Sequence, residues 1–118
     1  MQTSVNVIVV EGGVVREPEI KYTPEGLGIA RFAIANSSIS FKDGQKSEEV
    51  SYFEISAFGK LAEICSTYLK KGRKVIISGK LRQNRWKTDD GQNRSNVKIV
   101  ANDVKFMPSS KPNYQKKP

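Results

Sequence analysis

FGKLAEICSTYLKKGRKVIISGKLRQNRWK, residues 58–87, decides the architecture. Leu61, Ile64, Cys65, Tyr68 and Leu69 recur at i, i+3, i+4, i+7 and i+8, which predicts a helix of about two and a half turns with one apolar face. Lys70 and Lys71 fall where cations complement the negative end of a helix dipole, and Gly72 supplies a stop. Beyond it, residues 73–87 read as a long strand with Gly79 as its only breaker. That strand carries six cations and the chain's single tryptophan. Val75, Ile77, Gly79 and Leu81 form its inward set. After Leu81 the apolar alternation stops, so residues 82–94 read as an arm projecting from the core, with a tip at Asp89-Asp90-Gly91-Gln92 and little core for Trp86 to enter.

Working outward, the flanking segments read as strands. Residues 5–10, VNVIVV, are a β-branched run broken by Gly12-Gly13, which predicts one long strand bent or bulged at the glycines. Residues 19–23 continue it to the turn Thr23-Pro24-Glu25-Gly26. Residues 28–36 form the second strand, with Ala30, Phe32 and Ile34 on one face and Ile29, Arg31, Ala33 and Ala35 on the other. The Asp43-Gly44 pair then marks a hairpin tip and places Phe41 at the base of a polar, flexible arm. The third strand, residues 49–58, turns Phe53, Ile55 and Ala57 to the core. Its other face reads Val50, Tyr52, Glu54, Ser56, Phe58, which suits either a packing surface between subunits or a platform on which flat ligands stack. Val97, Ile99 and Ala101 point inward on the last strand, finished by Val104 and Phe106.

Five strands with one helix between the third and fourth make an all-β, five-stranded OB-fold barrel with projecting hairpin arms. The expected domain covers residues 1–106, and residues 107–118 read as a short disordered basic tail. Charge is segregated. Of the 20 Lys and Arg, ten lie in residues 70–100 against two acidic residues, so the whole excess of +8 sits in one segment and favours a polyanionic partner.

Several chemistries are excluded. There is no histidine and one cysteine, so imidazole metal sites, zinc–thiolate sets, intrachain disulfides and His-based acid–base catalysis are ruled out. The adjacent carboxylates Glu48-Glu49 enter a strand, where neighbours face opposite ways, and Asp89-Asp90 sit on a turn; no nucleophile–base set accompanies them. The expectation is a non-enzyme without cofactor or metal. With no apolar run of about 18 residues, no membrane partner is expected, and the protein reads as soluble and cytoplasmic.

VNVIVVEGGVVREPEIKY, FGKLAEICSTYLKKG and SGKLRQNRWKTDDGQNR together resemble, in order over about residues 5–106, the bacterial single-stranded-DNA-binding protein family. The resemblance implies a homotetrameric OB-fold that coats single-stranded DNA with little sequence preference in replication, recombination and repair. It places Phe41, Tyr52, Phe58 and Trp86 as base-stacking aromatics, the first two where many relatives carry tryptophan. It sets Lys60, Tyr68, Lys71, Arg82, Arg85 and Lys87 along the DNA path. Glu54 stands where relatives carry a basic residue, and Val7 where they carry lysine. The family's acidic C-terminal tip is not matched by Tyr114-Gln115-Lys116-Lys117-Pro118, which implies altered or absent recruitment of replication and repair proteins, or a shortened chain. Two other readings stay open: an OB-fold adapter of the primosomal type, and an RNA-binding OB module.

Overall fold

In the computed structural model, which describes residues 4–108, the alternating runs become six strands and one helix: β1 Ile8–Val14, β2 Glu19–Tyr22, β3 Gly28–Lys42, β4 Gln45–Phe58, α1 Lys60–Tyr68, β5 Lys74–Lys87 and β6 Asn93–Phe106. Hydrogen bonding runs in the order β1-β5-β6-β4-β3-β2, and a further β1–β3 pairing closes the sheet into a barrel. All pairs are antiparallel except β4–β6, which meet in parallel only at Ile55↔Ile99 and Ser56↔Val100. This is the expected OB-type barrel. The single bent first strand is in fact two segments, which share one edge of β3: β2 lies along Gly28 to Arg31 and β1 touches Ile34 and Ala35. Counted this way, the helix follows the fourth strand rather than the third.

The bend has a steric cause. A Cβ on Gly12 would stand 2.8 Å from the Ala35 carbonyl oxygen, so only glycine lets β1 cross this closely as it passes from β5 to β3. Asn36 Nδ2 donates to the Glu11 carbonyl at 2.7 Å and pins the crossing. Before the strand begins, Asn6 imitates a further ladder pair: its Nδ2 donates to Leu81 O at 2.8 Å and its Oδ1 accepts from Leu81 N–H at 2.9 Å.

The core is the inward set of β1, β3, β4, β5 and β6: Val14, Ala30, Phe32, Ile34, Ile55, Ala57, Val75, Ile77, Ile99 and Val104 are all buried, with Ile20 of β2 packed partly buried against them. Each fully buried Ile or Val contributes about 1.5–3 kcal/mol relative to exposure. The helix closes one end of the barrel with Ala62 and Cys65, joined by Leu69 just past its end. Its apolar face is therefore narrower than the sequence suggests: Leu61 and Ile64 are half-buried, and Tyr68 is exposed. Burial pushes the Cys65 thiol up to about 11, so it is a neutral packing group at physiological pH. The helix stops at Tyr68, with Leu69 already extended, and Lys70 and Lys71 lie beyond it in the following turn rather than in its last turn. Leu69 faces the core, and extending the backbone there takes it straight into burial. Tyr22 ties β2 to the helix by donating its hydroxyl to Glu63 at 3.1 Å.

Both arms exist, and they are paired ladders. The β3–β4 ladder runs unbroken to Lys42↔Gln45, and Asp43 and Gly44 both adopt positive φ (53° and 77°), as a two-residue turn between twisted strands requires. Phe41 consequently lies one pair from the tip, not at the arm's base. The β5–β6 ladder continues to Lys87↔Asn93. Its turn is closed by Thr88 N–H on the Gln92 carbonyl (2.8 Å) and by the Thr88 hydroxyl on Asp90, an interaction that holds the Asp90 carboxyl below its usual range. The arms lengthen the molecule to a radius of gyration of 17.5 Å, against about 13 Å for a compact 100-residue domain. Leu81 and Val97, expected inward, are exposed at the barrel's rim: Leu81 sits opposite Ile99, the last β6 residue paired with β4 on that side, and Val97 lies two residues beyond it. The tail expected over residues 107–118 lies, from residue 109, outside the described residues.

Candidate nucleic-acid interface

Where β4 and β6 part company, their hairpins diverge and leave a crevice. Strand alternation decides what each wall presents. On the β3–β4 arm, the pairs Phe41↔Lys46, Ile39↔Glu48, Ser37↔Val50, Ala35↔Tyr52 and Ala33↔Glu54 put Phe41, Ile39, Val50, Tyr52 and Glu54 on one face. Phe41 and Tyr52 are 72% and 68% exposed, far above what two large aromatics show when they serve a core. On the β5–β6 arm, the pairs Arg82↔Lys98, Asn84↔Asn96 and Trp86↔Arg94 set four cations or amides and a cation-flanked indole on one face. Trp86 is 50% exposed.

Two adjoining hollows lie between these walls. One, of about 380 Å³, is lined by Arg16, Arg31, Glu54, Asn84, Asn96 and Lys98 among others. The second, of about 340 Å³, has Tyr52, Leu81 and Val97 in its walls and shares Glu54, Asn96 and Lys98 with the first. Leu81 and Val97 thus find their role here, as apolar walls beside Tyr52. Nearer the tip of the β5–β6 arm, an open depression of about 550 Å³ is bounded by Gln83, Arg85, Trp86 and Arg94. Among the described residues the only ion pair is Lys105–Asp103 at 3.6 Å, so the charged groups of the crevice are not neutralised by one another.

The ten residues expected at the site fall into three groups. Phe41, Tyr52, Arg82 and Trp86 share the crevice-facing sides of the two arms. Arg85 and Lys87 are exposed but alternate to the opposite face of the β5–β6 arm from Trp86, and Arg85 is turned along its strand, donating to Gln83 Oε1 at 3.1 and 3.3 Å. Phe58 shares the outward face of β4 with Tyr52 and Glu54 but stands at the strand's end, and with Lys60, Tyr68 and Lys71 it gathers around the helix ends, beyond the divergence of the two arms. Phe58 is half-buried. Tyr68 is 62% exposed, yet its ring packs edge-on against Phe106, with centroids 6.4 Å apart. Arg73, part of the basic segment, is committed internally: its guanidinium lies 5.3 Å from the Phe106 ring centroid and its Nε donates to Met107 O at 3.1 Å.

Sequence reading missed Arg31, Arg94 and Lys98. Arg31 carried a usable signal, a charge amid small residues on the outer face of the second strand. Arg94 and Lys98 are found only once the register sets them opposite Trp86 and Arg82.

A barrel with an aromatic wall, a cationic wall and an open crevice between them defines a binding protein for flat, anionic, extended ligands. The sequence model of the Single-strand binding protein family matches residues 5–107, and the chain belongs to that family. It is 40% identical over 103 residues to the single-stranded DNA-binding protein of Thermotoga maritima, covering 86% of this chain and 73% of that one. It is 39% identical over 105 residues to that of Treponema pallidum and 34% identical over 105 residues to that of Wolinella succinogenes. These matches cover 89% and 88% of this chain but only 59% and 65% of the relatives. Among solved structures, a Plasmodium falciparum SSB complex with ssDNA superposes with a TM-score of 0.82 at 24% identity, over 92% of this chain and 99% of that one. A deletion mutant of the single-stranded DNA binding protein from Thermus aquaticus gives 0.79 at 25% identity, over 90% and 52%.

Proposed function

We propose that the protein binds single-stranded DNA and coats it with little sequence preference during replication, recombination and repair. It acts as a non-enzymatic, cytoplasmic, nucleoid-associated homotetramer. The observation that carries this reading is the pairing of walls across the crevice: exposed Phe41 and Tyr52 on one arm, Trp86 with Arg82, Arg94 and Lys98 on the other. Aromatic faces stack on any base, because every base has a π-face, and the cations neutralise phosphates whatever the sequence. A duplex keeps its bases stacked on each other and offers none to these rings. Phe58, Lys60, Tyr68 and Lys71 extend the path around the helix ends, and Arg85 and Lys87 serve the backbone from the other face of their arm, the one that continues from Leu81 and Val97. Family membership supports the same reading.

The salt dependence of affinity tests it. Plotted logarithmically against salt, the single-strand association constant is expected to fall with a slope of about 0.7 per phosphate neutralised. With Arg82, Arg94 and Lys98 engaged, the slope is expected to reach about 2 or more. An affinity indifferent to salt contradicts the proposal.

A further inference from the structure

Glu54 stands in the floor between the two hollows and lines both. Its cross-strand neighbour is Ala33, whose small side chain leaves the carboxylate uncovered. No ion pair occupies it among the described residues, although Arg16, Arg31 and Lys98 line the same hollow, together with one other carboxylate, Glu19, the cross-strand partner of Arg31. Tyr52 lies two residues earlier on the same face of β4, about 7 Å along the strand. A base stacked on Tyr52 therefore sets the adjoining nucleotide over Glu54, with Lys98 and Asn96 on the opposite wall.

The geometry points to Glu54 as a base-selecting residue: this crevice takes one nucleotide of the bound strand, and the Glu54 carboxylate accepts a hydrogen bond from the exocyclic amino group of cytosine, adenine or guanine. The inference rests on the single-strand reading above. A carboxylate has acceptors only, so it discriminates by what the base offers. Cytosine presents its N4 amino group to Glu54 and its N3 and O2 acceptors to Lys98 and Asn96, matching donor to acceptor on both walls. Thymine has one donor on that edge, the N3 imide N–H, set between O4 and O2, so a carboxylate that reaches it is held against a carbonyl oxygen, and the N3 acceptor that cytosine offers the opposite wall is lost. Arg31 and Arg16 are left for the phosphates on either side. The aromatic platforms bind all strands, and this single position ranks them.

The test compares oligo-dC with oligo-dT of equal length, binding to the wild-type protein and to Glu54→Ala. Removing the carboxylate is expected to shift the dC-to-dT affinity ratio towards dT by about fivefold or more. Glu54→Gln, which keeps an acceptor but no charge, is expected to retain part of the preference. If Glu54→Ala changes both affinities by the same factor, or shifts the ratio towards dC, the base-edge role is overturned and Glu54 is only a local charge, while the single-strand reading stands. If the wild-type protein binds neither strand, the single-strand reading itself falls, and this inference with it.

Discussion

Gly79→Ala is expected to destabilise the fold by about 1–3 kcal/mol, read as a fall in the urea midpoint. One methyl group has this effect because of where it would go. An added Cβ would stand 2.0 Å from the Val100 carbonyl oxygen and 2.9 Å from its carbonyl carbon. Both atoms belong to the backbone of β6, so no side-chain rotation can clear them. Gly79 sits at a β-bulge, where the register with β6 slips between Ser78↔Asp103 and Gly79↔Ala101. The extra residue on β6 brings its chain against β5 there, just before both strands leave the barrel to form the arm. Relieving the clash means prising β5 from β6 at the arm's root, so the variant is also expected to weaken DNA binding through misplacement of Trp86. Gly13→Ala is the control: nothing lies within 4 Å of its added Cβ, and the stability change there should be small. Equal midpoints for the two variants would contradict this account of the bulge.

Trp86→Ala has the opposite profile, large in binding and small in stability. The indole is half exposed on the arm, flanked by Arg94 across the strand pair, and is no part of the core cluster. Stacking on an aromatic is worth about 1–3 kcal/mol per base, so affinity for single strands should fall about 5- to 150-fold. The loss should be the same factor for strands of different composition, since a π-face does not read base edges. Trp86→Phe should recover part of it. An unchanged affinity would make the arm a structural appendage, and a loss confined to one composition would make Trp86 a reader of bases.

Much of this was legible in the sequence, and the limits have physical causes. The helix was legible because its periodicity is local, and the Asp43-Gly44 tip because only certain residues accept positive φ at both turn positions. Alternation alone gave the core face at Ile55 and Ala57 and separated the two faces of residues 28–36, of which Ala30, Phe32 and Ile34 form the buried one. Alternation does not say where a barrel ends, however. Leu81 and Val97 keep the inward phase of their strands, but burial needs a strand across the way, and the β4–β6 pairing ends at Ile99, level with Leu81 and short of Val97. The parallel β4–β6 contact that decides this joins segments more than forty residues apart.

The site was legible in its aromatics and less so in its cations. Large rings in polar surroundings are conspicuous in a sequence, whereas a lysine or arginine is ordinary on any surface. Which cations accompany Trp86 is a question of cross-strand register: Arg94 and Lys98 come into place through it, and Arg85 and Lys87 turn away. Gly79 was read as an inward position, while the need for glycine there came from the bulge.

The most direct test of the central claim uses Trp86 as its own reporter, since it is the chain's only tryptophan. Its fluorescence is followed while the protein is titrated with oligo-dT and, separately, with a duplex of equal length, at two salt concentrations. The account predicts strong quenching by the single strand alone, saturating at a fixed nucleotide-to-protein ratio and requiring more DNA at the higher salt. No change, or an equal response to the duplex, would contradict it and leave the crevice a general polyanion surface.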